Sequence, residues 1–458
     1  MAAKSTSTRR AGVPKGRRAV VVGGARTPFV KAFAEYLKLD TIALGTAAVR
    51  GLLDRYPIPR RDVDSVVWGG VILPSVWPNI GREIALDAGL DPTVEAMTVT
   101  RACASGLQAI TVAAAAIERG DADVIIAGGS DSTSNAEVKL PQKLVHVAAP
   151  LMFGKRTPAD VLGALGKLMP LSELLPRVPK IAERTTGQVM GEAAEDMARR
   201  NEISRAAQDE FALRSHQRAA AAIASGRLAR EITPMATSVT AGGAGENWVH
   251  SDTIVRADSN LEKLSRLKSA FSGGRKDHGG NGAGTVTAGN SSPLTDGAAA
   301  VLLMSEEKAH ALGLKPLARV SQWAYVGVDP SDQLLIGPAL AMPRVLARMG
   351  LELGDIDLID MHEAFAAQVL SVLKALGSAA FARARLGRER AVGEVDPDRL
   401  NVHGGSLAFG HPFAATGARM VTTMAHELHD TGKATALLGI CAAGGLGAAA
   451  LLENANLP

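Results

Sequence analysis

Two stretches of this chain repeat one pattern. The first is Arg61-Asp62-Val63-Asp64-Ser65-Val66-Val67-Trp68-Gly69, and the second is Gly354-Asp355-Ile356-Asp357-Leu358-Ile359-Asp360. Each places Asp-(Val/Ile)-Asp before an apolar run, and each follows a helical pattern, residues 47–54 (AAVRGLLD) and 341–349 (AMPRVLARM). A helical period that gives way within a few residues to a short apolar run predicts a helix, a tight loop and a buried strand. The parallel extends downstream. Residues 103–119 read as a helix entering Gly120-Asp121-Ala122-Asp123-Val124-Ile125-Ile126, and residues 413–430 as a helix entering Gly432-Lys433-Ala434-Thr435-Ala436-Leu437-Leu438. Helices alternating with buried strands predict an α/β layered structure built twice over. The halves fall at about 19–135 and 300–458.

Between them, residues 136–299 differ in character. Six prolines lie between 141 and 179, a long helical stretch covers 190–226, and a Gly-rich polar run covers 271–284. This reads as an inserted loop domain, lying over a site that the two halves share.

Composition narrows the function. A length of 458 residues with 47% hydrophobic and 21% charged residues fits a globular protein and excludes a wholly disordered one. Two cysteines cannot form a disulfide framework, so they are expected to act as reduced thiols. The net charge of +4 is unevenly placed. Residues 1–18 carry six basic groups and no acid, and residues 136–184 carry eight basic groups and four acids, which leaves the remainder at −6. The tail 1–18 reads as disordered, with a faint likeness to a transit peptide and no secretory apolar stretch. Nucleic acid is not an expected partner, because no aromatic residues interleave with the basic ones. The uncharged stretch 434–452 approaches the length of a membrane span, but its glycines make it read as two buried strands around a turn.

Four segments can carry chemistry. Cys103, in Thr100-Arg101-Ala102-Cys103-Ala104-Ser105-Gly106-Leu107-Gln108-Ala109, precedes a helix whose N-terminus favours a thiolate; the alternative is a buried structural thiol. His411 lies in the glycine-rich turn Gly404-Gly405-Ser406-Leu407-Ala408-Phe409-Gly410-His411-Pro412, where it can act as a base or simply bond backbone. Cys441 ends a strand at Gly439-Ile440-Cys441-Ala442-Ala443-Gly444-Gly445-Leu446-Gly447, a turn that can aim N–H groups at an oxyanion or merely pack a thiol. His362 follows a strand in Asp360-Met361-His362-Glu363-Ala364-Phe365, where α/β proteins place functional residues; the alternative is a strand-end histidine with a packed Phe, and position 366 is Ala rather than His, so no zinc motif is present and no metal ligands are expected.

Taken together, these segments resemble the thiolase family, whose motifs are similar to CASGLQA, GGxxxxGHP and CxxGGxG in this order. The resemblance runs from Val22-Gly23-Gly24-Ala25-Arg26-Thr27-Pro28-Phe29 through Gly284-Thr285-Val286-Thr287-Ala288-Gly289-Asn290-Ser291-Ser292 to the C-terminus. His362-Glu363-Ala364-Phe365 stands where Asn-Glu-Ala-Phe is common, a form similar to the β subunits of trifunctional fatty-acid oxidation complexes and their bacterial relatives. Thr100, Ala414 and Ala443 also depart from the common pattern.

The resemblance implies a five-layer αβαβα fold and thiolysis of a 3-oxoacyl-CoA by CoA, or the reverse Claisen condensation, as in β-oxidation. It implies Cys103 as nucleophile, His411 as its base, Cys441 as general acid and base, and His362 with His411 as one oxyanion site. The backbone N–H groups of Cys103 and Ala443 would form the other. Arg256 would lie near the adenine and phosphates of CoA, and Met190, Ala288 and Ser292 along the pantetheine tunnel, although a surface arginine and a core methionine would look the same. CoA and acyl-CoA are expected as substrates, with no permanently bound cofactor. A homodimer or homotetramer is expected, in the cytoplasm or, in a eukaryote, the mitochondrial matrix. The basic insert 136–186 could meet a membrane, a hydratase/dehydrogenase partner subunit or the acyl chain. The alternatives are a 3-oxoacyl synthase, against which Cys441 argues, and a non-catalytic acyl-CoA-binding protein, against which the three catalytic-type residues together argue.

Overall fold

The computed structural model describes residues 16–138, 140–154, 157–170, 173, 182–237, 247–271 and 284–457. Most of the basic tail and most of the 271–284 run lie outside these residues.

Twelve strands are present among the described residues: β1 (Ala19–Arg26), β2 (Val30–Lys31), β3 (Ser65–Gly69), β4 (Glu95–Val99), β5 (Val124–Asp131), β6 (Met235–Ala236), β7 (Trp248–Val249), β8 (Thr295–Ser305), β9 (Ala318–Gly327), β10 (Leu358–Met361), β11 (Thr435–Ala442) and β12 (Leu446–Asn454). Their order in the main sheet is β10-β11-β12-β9-β1-β8-β5-β3-β4. The path contains the duplication expected from the repeated pattern. In the first half β3 pairs parallel with β5, β5 antiparallel with β8, and β8 antiparallel with β1. In the second half β10 pairs parallel with β11, β11 antiparallel with β12, and β12 antiparallel with β9. Only Val20–Arg319 and Val21–Ala318 join the halves across β1 and β9. The 434–452 stretch is the β11–β12 hairpin.

The repeated Asp-x-Asp has a mechanical purpose. Asp64 accepts the backbone N–H groups of Asp123 and Val124 at 2.7 and 2.9 Å, tying the start of β3 to β5. Asp357 accepts those of Ala434 and Thr435 at 2.9 and 3.1 Å, tying β10 to β11.

Helix Ser105–Arg119 and helix Ala414–Thr431 form the middle layer. The second is buried continuously from Ala414 to Leu428, as a helix with sheets on both sides must be. It packs on β1, β5 and β8 and also on β9, β11 and β12. Helix Thr41–Arg55 covers β1, β5 and β8 on one outer face, and helix Pro338–Met349 covers β9, β11 and β12 on the other. These are the five layers expected, with one apolar cluster between the sheets and one outside each.

Two boundaries differ from those read in the sequence. Position 300 falls inside β8, whose eleven residues pair with strands of the first half, so strand continuity carries that half to Ser305. Residues 183–299 are part of the same compact unit as both halves, and the separate unit is 136–182. That smaller unit contains helices Gln142–Phe153 and Pro158–Lys167, with exposed Leu140, Met152, Phe153, Leu162 and Met169. No helix among the described residues is long and apolar enough to cross a membrane.

Candidate active site

The ends of the strands and the two central helices deliver the chemistry. Cys103 lies just before helix Ser105–Arg119, and the residue preceding it, Ala102, has a left-handed φ of 46°. The Ser105 hydroxyl holds this turn, accepting from Arg101 N at 2.7 Å and donating to Ala102 O at 2.7 Å. His411 stands at the same place before the other central helix, followed by Phe413 with φ 27°. Strain of this kind in non-glycine residues persists only where the surroundings impose it, and it gathers at functional sites.

The two helices meet without side chains between them. A methyl group on Gly106 would collide with the carbonyl of Ala414, and one on Gly417 would lie 2.5 Å from the backbone nitrogen of Leu107. This close approach brings Cys103 and His411 together, since each lies three residues before a contact residue.

One ring nitrogen each from His362 and His411 and the Cys103 sulfur lie within 4.8 Å of one another. The two imidazole rings have centroids 4.1 Å apart, tilted by 45°. Each ring is held through Nδ1, by the Ser406 hydroxyl at 3.0 Å for His362 and by the Thr416 hydroxyl at 2.7 Å for His411. Both Nε2 atoms are buried without a partner. Cys441 is fully buried, with Cys103 near enough to push its thiol up further, and the backbone N–H of Ala443 acts to lower the Cys103 thiol. Gly444 and Gly445 make the following turn with φ of 86° and 65°, and Gly444 N donates to the Glu183 carboxylate at 3.0 Å.

Burial governs the electrostatics. It pushes the Cys103 thiol up to about 11, against the help of the Ala443 and Cys103 N–H groups and with the opposition of Asp131. The thiolate favoured by a helix N-terminus is therefore not the resting form; desolvation outweighs the dipole. His411 is pushed down to about 3 by burial and by the Arg419 guanidinium, and His362 is also held well below the usual imidazole range, by burial, His411 and Arg419. The resting site thus pairs a neutral thiol with two neutral imidazoles.

Of the residues expected along the CoA path, Ser292 is tied to the His362 segment: its N–H and hydroxyl both donate to Ala364 O, at 3.0 and 2.9 Å. Met190 is the half-buried first residue of helix Met190–Arg200. Glu195 of that helix accepts Thr285 N and Val286 N, each at 2.7 Å, which anchors the segment bearing exposed Ala288. Arg256 has an exposed side chain, and its backbone N–H donates to His216 Nδ1 at 3.2 Å.

Several supporting residues escaped the sequence reading. Buried Asp131, at the end of β5, accepts Val71 N and Ile72 N at 2.9 and 2.6 Å and Ala414 N at 2.9 Å. Arg419 pairs with Asp360 at 3.0 Å. Glu363 accepts from Ser215 at 2.7 Å, Asn401 at 2.7 Å and Leu407 N at 3.1 Å. The one signal in the sequence is an acid following glycines at the end of an apolar run, as with Asp131 after Gly128-Gly129-Ser130.

Residues 19–307 match the family model "Thiolase, N-terminal domain" and residues 314–454 match "Thiolase, C-terminal domain". The chain is 42% identical over 443 residues to a 3-ketoacyl-CoA thiolase of Shewanella halifaxensis (strain HAW-EB4), covering 96% of this chain and 97% of that protein. It is 43% identical over 441 residues to one of Aeromonas salmonicida (strain A449), with the same coverage. Among solved structures it resembles a Bacillus anthracis acetyl-CoA acetyltransferase (33% identity, TM-score 0.77, 96% of this chain and 99% of that one). It also resembles human mitochondrial 3-ketoacyl-CoA thiolase in complex with CoA (28% identity, TM-score 0.77, 96% and 98%).

Proposed function

This chain belongs to the thiolase family and catalyses thiolytic acyl transfer, and from that premise we propose how its residues divide the work. It is an acyltransferase that uses CoA as a substrate: a 3-oxoacyl-CoA and CoA become acetyl-CoA and a shortened acyl-CoA.

Cys103 is the nucleophile. Its thiol proton passes to Nε2 of His411 as sulfur adds to the 3-oxo carbon, so no free thiolate need accumulate in a site that disfavours one. The carbon–carbon bond breaks, the electron pair leaves as the acetyl-CoA enolate, and the Cys441 thiol protonates its carbon. The Cys441 thiolate then takes the proton of incoming CoA. CoA sulfur attacks the acyl group on Cys103, and the His411 imidazolium returns a proton to the departing Cys103 sulfur. All three groups end in their starting state, which makes the cycle ping-pong, and it runs in reverse for the condensation.

Two oxyanions arise. Nε2–H groups of His362 and His411 serve one, with the Ser406 and Thr416 hydroxyls fixing the rings, and the N–H groups of Cys103 and Ala443 serve the other. The observation that carries this assignment is the cluster itself: the Cys103 sulfur and a ring nitrogen of each of His362 and His411 within 4.8 Å, both Nε2 atoms buried without a partner, and the second thiol alongside. CoA lies along the 183–299 region, its pantetheine beside Met190, Ala288 and Ser292 and its adenine and phosphates near Arg256.

The chain works as a homodimer or homotetramer in the cytoplasm, or in the mitochondrial matrix of a eukaryote. The exposed apolar residues of the 136–182 unit, on a segment rich in Lys and Arg, support a surface for an anionic membrane, a hydratase/dehydrogenase subunit or the acyl chain. Flotation with anionic vesicles at low and high salt tests the membrane version, which absence of binding removes. For the reaction, acyl labelling is the test. Cys103→Ala should carry no acyl group after incubation with acetoacetyl-CoA or a long-chain 3-oxoacyl-CoA and should release no acetyl-CoA; retained turnover overturns the assignment.

A further inference from the structure

The catalytic cluster has a donor set that the reaction does not exhaust. A thiol sulfur and two imidazole nitrogens converge from three distant segments, all within 4.8 Å. Both free ring nitrogens are buried and unpartnered. Both rings are oriented through Nδ1 by a hydroxyl, the outer-shell arrangement that metal-ligating histidines use to fix the ring. The sequence hid this set because zinc motifs are recognised by spacing within one segment, and these donors stand at 103, 362 and 411. It also depends on His362, without which only two of the three donors remain.

We propose that Cys103, His362 and His411 form a reversible inhibitory site for a soft or borderline divalent cation, Zn²⁺ foremost. Sulfur with two imidazoles suits Zn²⁺ and Co²⁺, and the absence of a carboxylate in the trio disfavours Mg²⁺ and Ca²⁺. Zinc bonds of usual length set donor atoms roughly 3.3–3.6 Å apart in a tetrahedron, so a pair at the 4.8 Å limit must close by roughly 1.2–1.5 Å. Cys103 is only partly buried, which leaves the fourth position to water. Binding replaces the Cys103 S–H bond with a metal–sulfur bond and releases one proton to solvent. The Arg419 guanidinium opposes a second cation nearby, and its 3.0 Å pairing with Asp360 offsets that charge. A bound cation removes the nucleophile, the base and an oxyanion donor at once.

That the cation inhibits rests on the thiolase reading; that it binds does not. The test therefore uses Co²⁺ and the full-length chain, read by absorbance. One equivalent of Co²⁺ should give tetrahedral visible bands with a thiolate-to-cobalt charge-transfer band, and Zn²⁺ should displace it. Cys103→Ala should lose the charge-transfer band, and His362→Asn should weaken Co²⁺ binding by tenfold or more. Wild-type protein alkylated by iodoacetamide at Cys103, mapped by mass spectrometry, should also lose the band, which covers the case of a misfolded variant. No charge-transfer band, or a band that persists undiminished in Cys103→Ala, overturns the proposal. Wild-type protein that turns over CoA thioesters but shows no band defeats the metal site alone. A band in protein that never turns over defeats the thiolase reading alone.

Discussion

His362 and His411 stack with ring centroids 4.1 Å apart, and neither buried Nε2 has a partner. Two imidazoles this close cannot both be charged at modest cost, and burial with Arg419 keeps them neutral. They are nonetheless unequal. In the proposed cycle His411 accepts the nucleophile's proton, whereas His362 only donates to an oxyanion. His411→Asn should therefore lower kcat by about 10²–10⁴-fold, the usual worth of a general base. His362→Asn keeps a hydrogen-bond donor and should lose no more than about 10²-fold, the low end for an oxyanion donor. Steady-state thiolysis of acetoacetyl-CoA measures both, and equal losses would remove the distinction.

In the proposed cycle Cys441 handles the protons of the enolate and of CoA, while the acyl group stays on Cys103. Its thiol is buried and held well above the usual thiol range by burial and by Cys103, as suits an acid that gives up its proton only to a carbanion. Cys441→Ala should still accept an acetyl group on Cys103 from acetyl-CoA, seen as a mass increase of the intact chain. Its turnover should fall by at least about 10²-fold. An unlabelled chain under these conditions would show that CoA cannot depart as the free thiolate and needs the Cys441 proton in this transfer too.

The Cys103–His411 geometry depends on two glycines rather than on a hydrogen bond. Gly106 meets the carbonyl of Ala414, and Gly417 meets the backbone of Leu107, so the central helices touch backbone to backbone. A methyl group at either position forces backbone apart in a packed layer. Gly106→Ala and Gly417→Ala should each cost about 1–3 kcal/mol, read as a lower urea midpoint by circular dichroism. Turnover in the folded protein should fall further than stability alone explains, because the displaced backbone carries the site.

What the sequence disclosed follows from the same physics. Asp64 and Asp357 could be matched because each satisfies two strand-end N–H groups, a local duty that leaves a local mark. Cys103, His411 and Cys441 were legible because close backbone approach and tight turns put glycines beside them. Asp131, Arg419 and the Ser406 and Thr416 hydroxyls were not, since each acts on residues brought near only by the fold. The charge state of Cys103 was misread for that reason: a helix terminus is visible in sequence, and the depth at which it is buried is not. The end of the first half at Ser305 was similarly hidden, because only pairing with β1 and β5 shows where β8 belongs.

Asp131 gives the fold a pH dependence of definite sign. Burial raises its carboxyl from 3.8 to about 7 despite three backbone N–H donors. Between these values the unfolded chain carries the ionised group while the folded chain retains the proton, so folding takes up a proton. Stability from this group is then greatest below pH 4, falls by about 1.4 kcal/mol per pH unit as pH rises towards 7, and is level above that. Asp131→Asn abolishes the titration, and the difference in unfolding free energy between wild type and variant cancels most other groups. The wild type's relative stability should decline by up to a few kcal/mol between pH 4 and 7, measured by urea unfolding at several pH values. The variant's amide cannot accept from both sides, so it loses the tie to Ala414 N that seats the helix following His411. Its turnover should be reduced by about tenfold or more at every pH, as for other outer-shell partners. A pH-independent difference in stability would show that Asp131 is already ionised in the folded chain at pH 4.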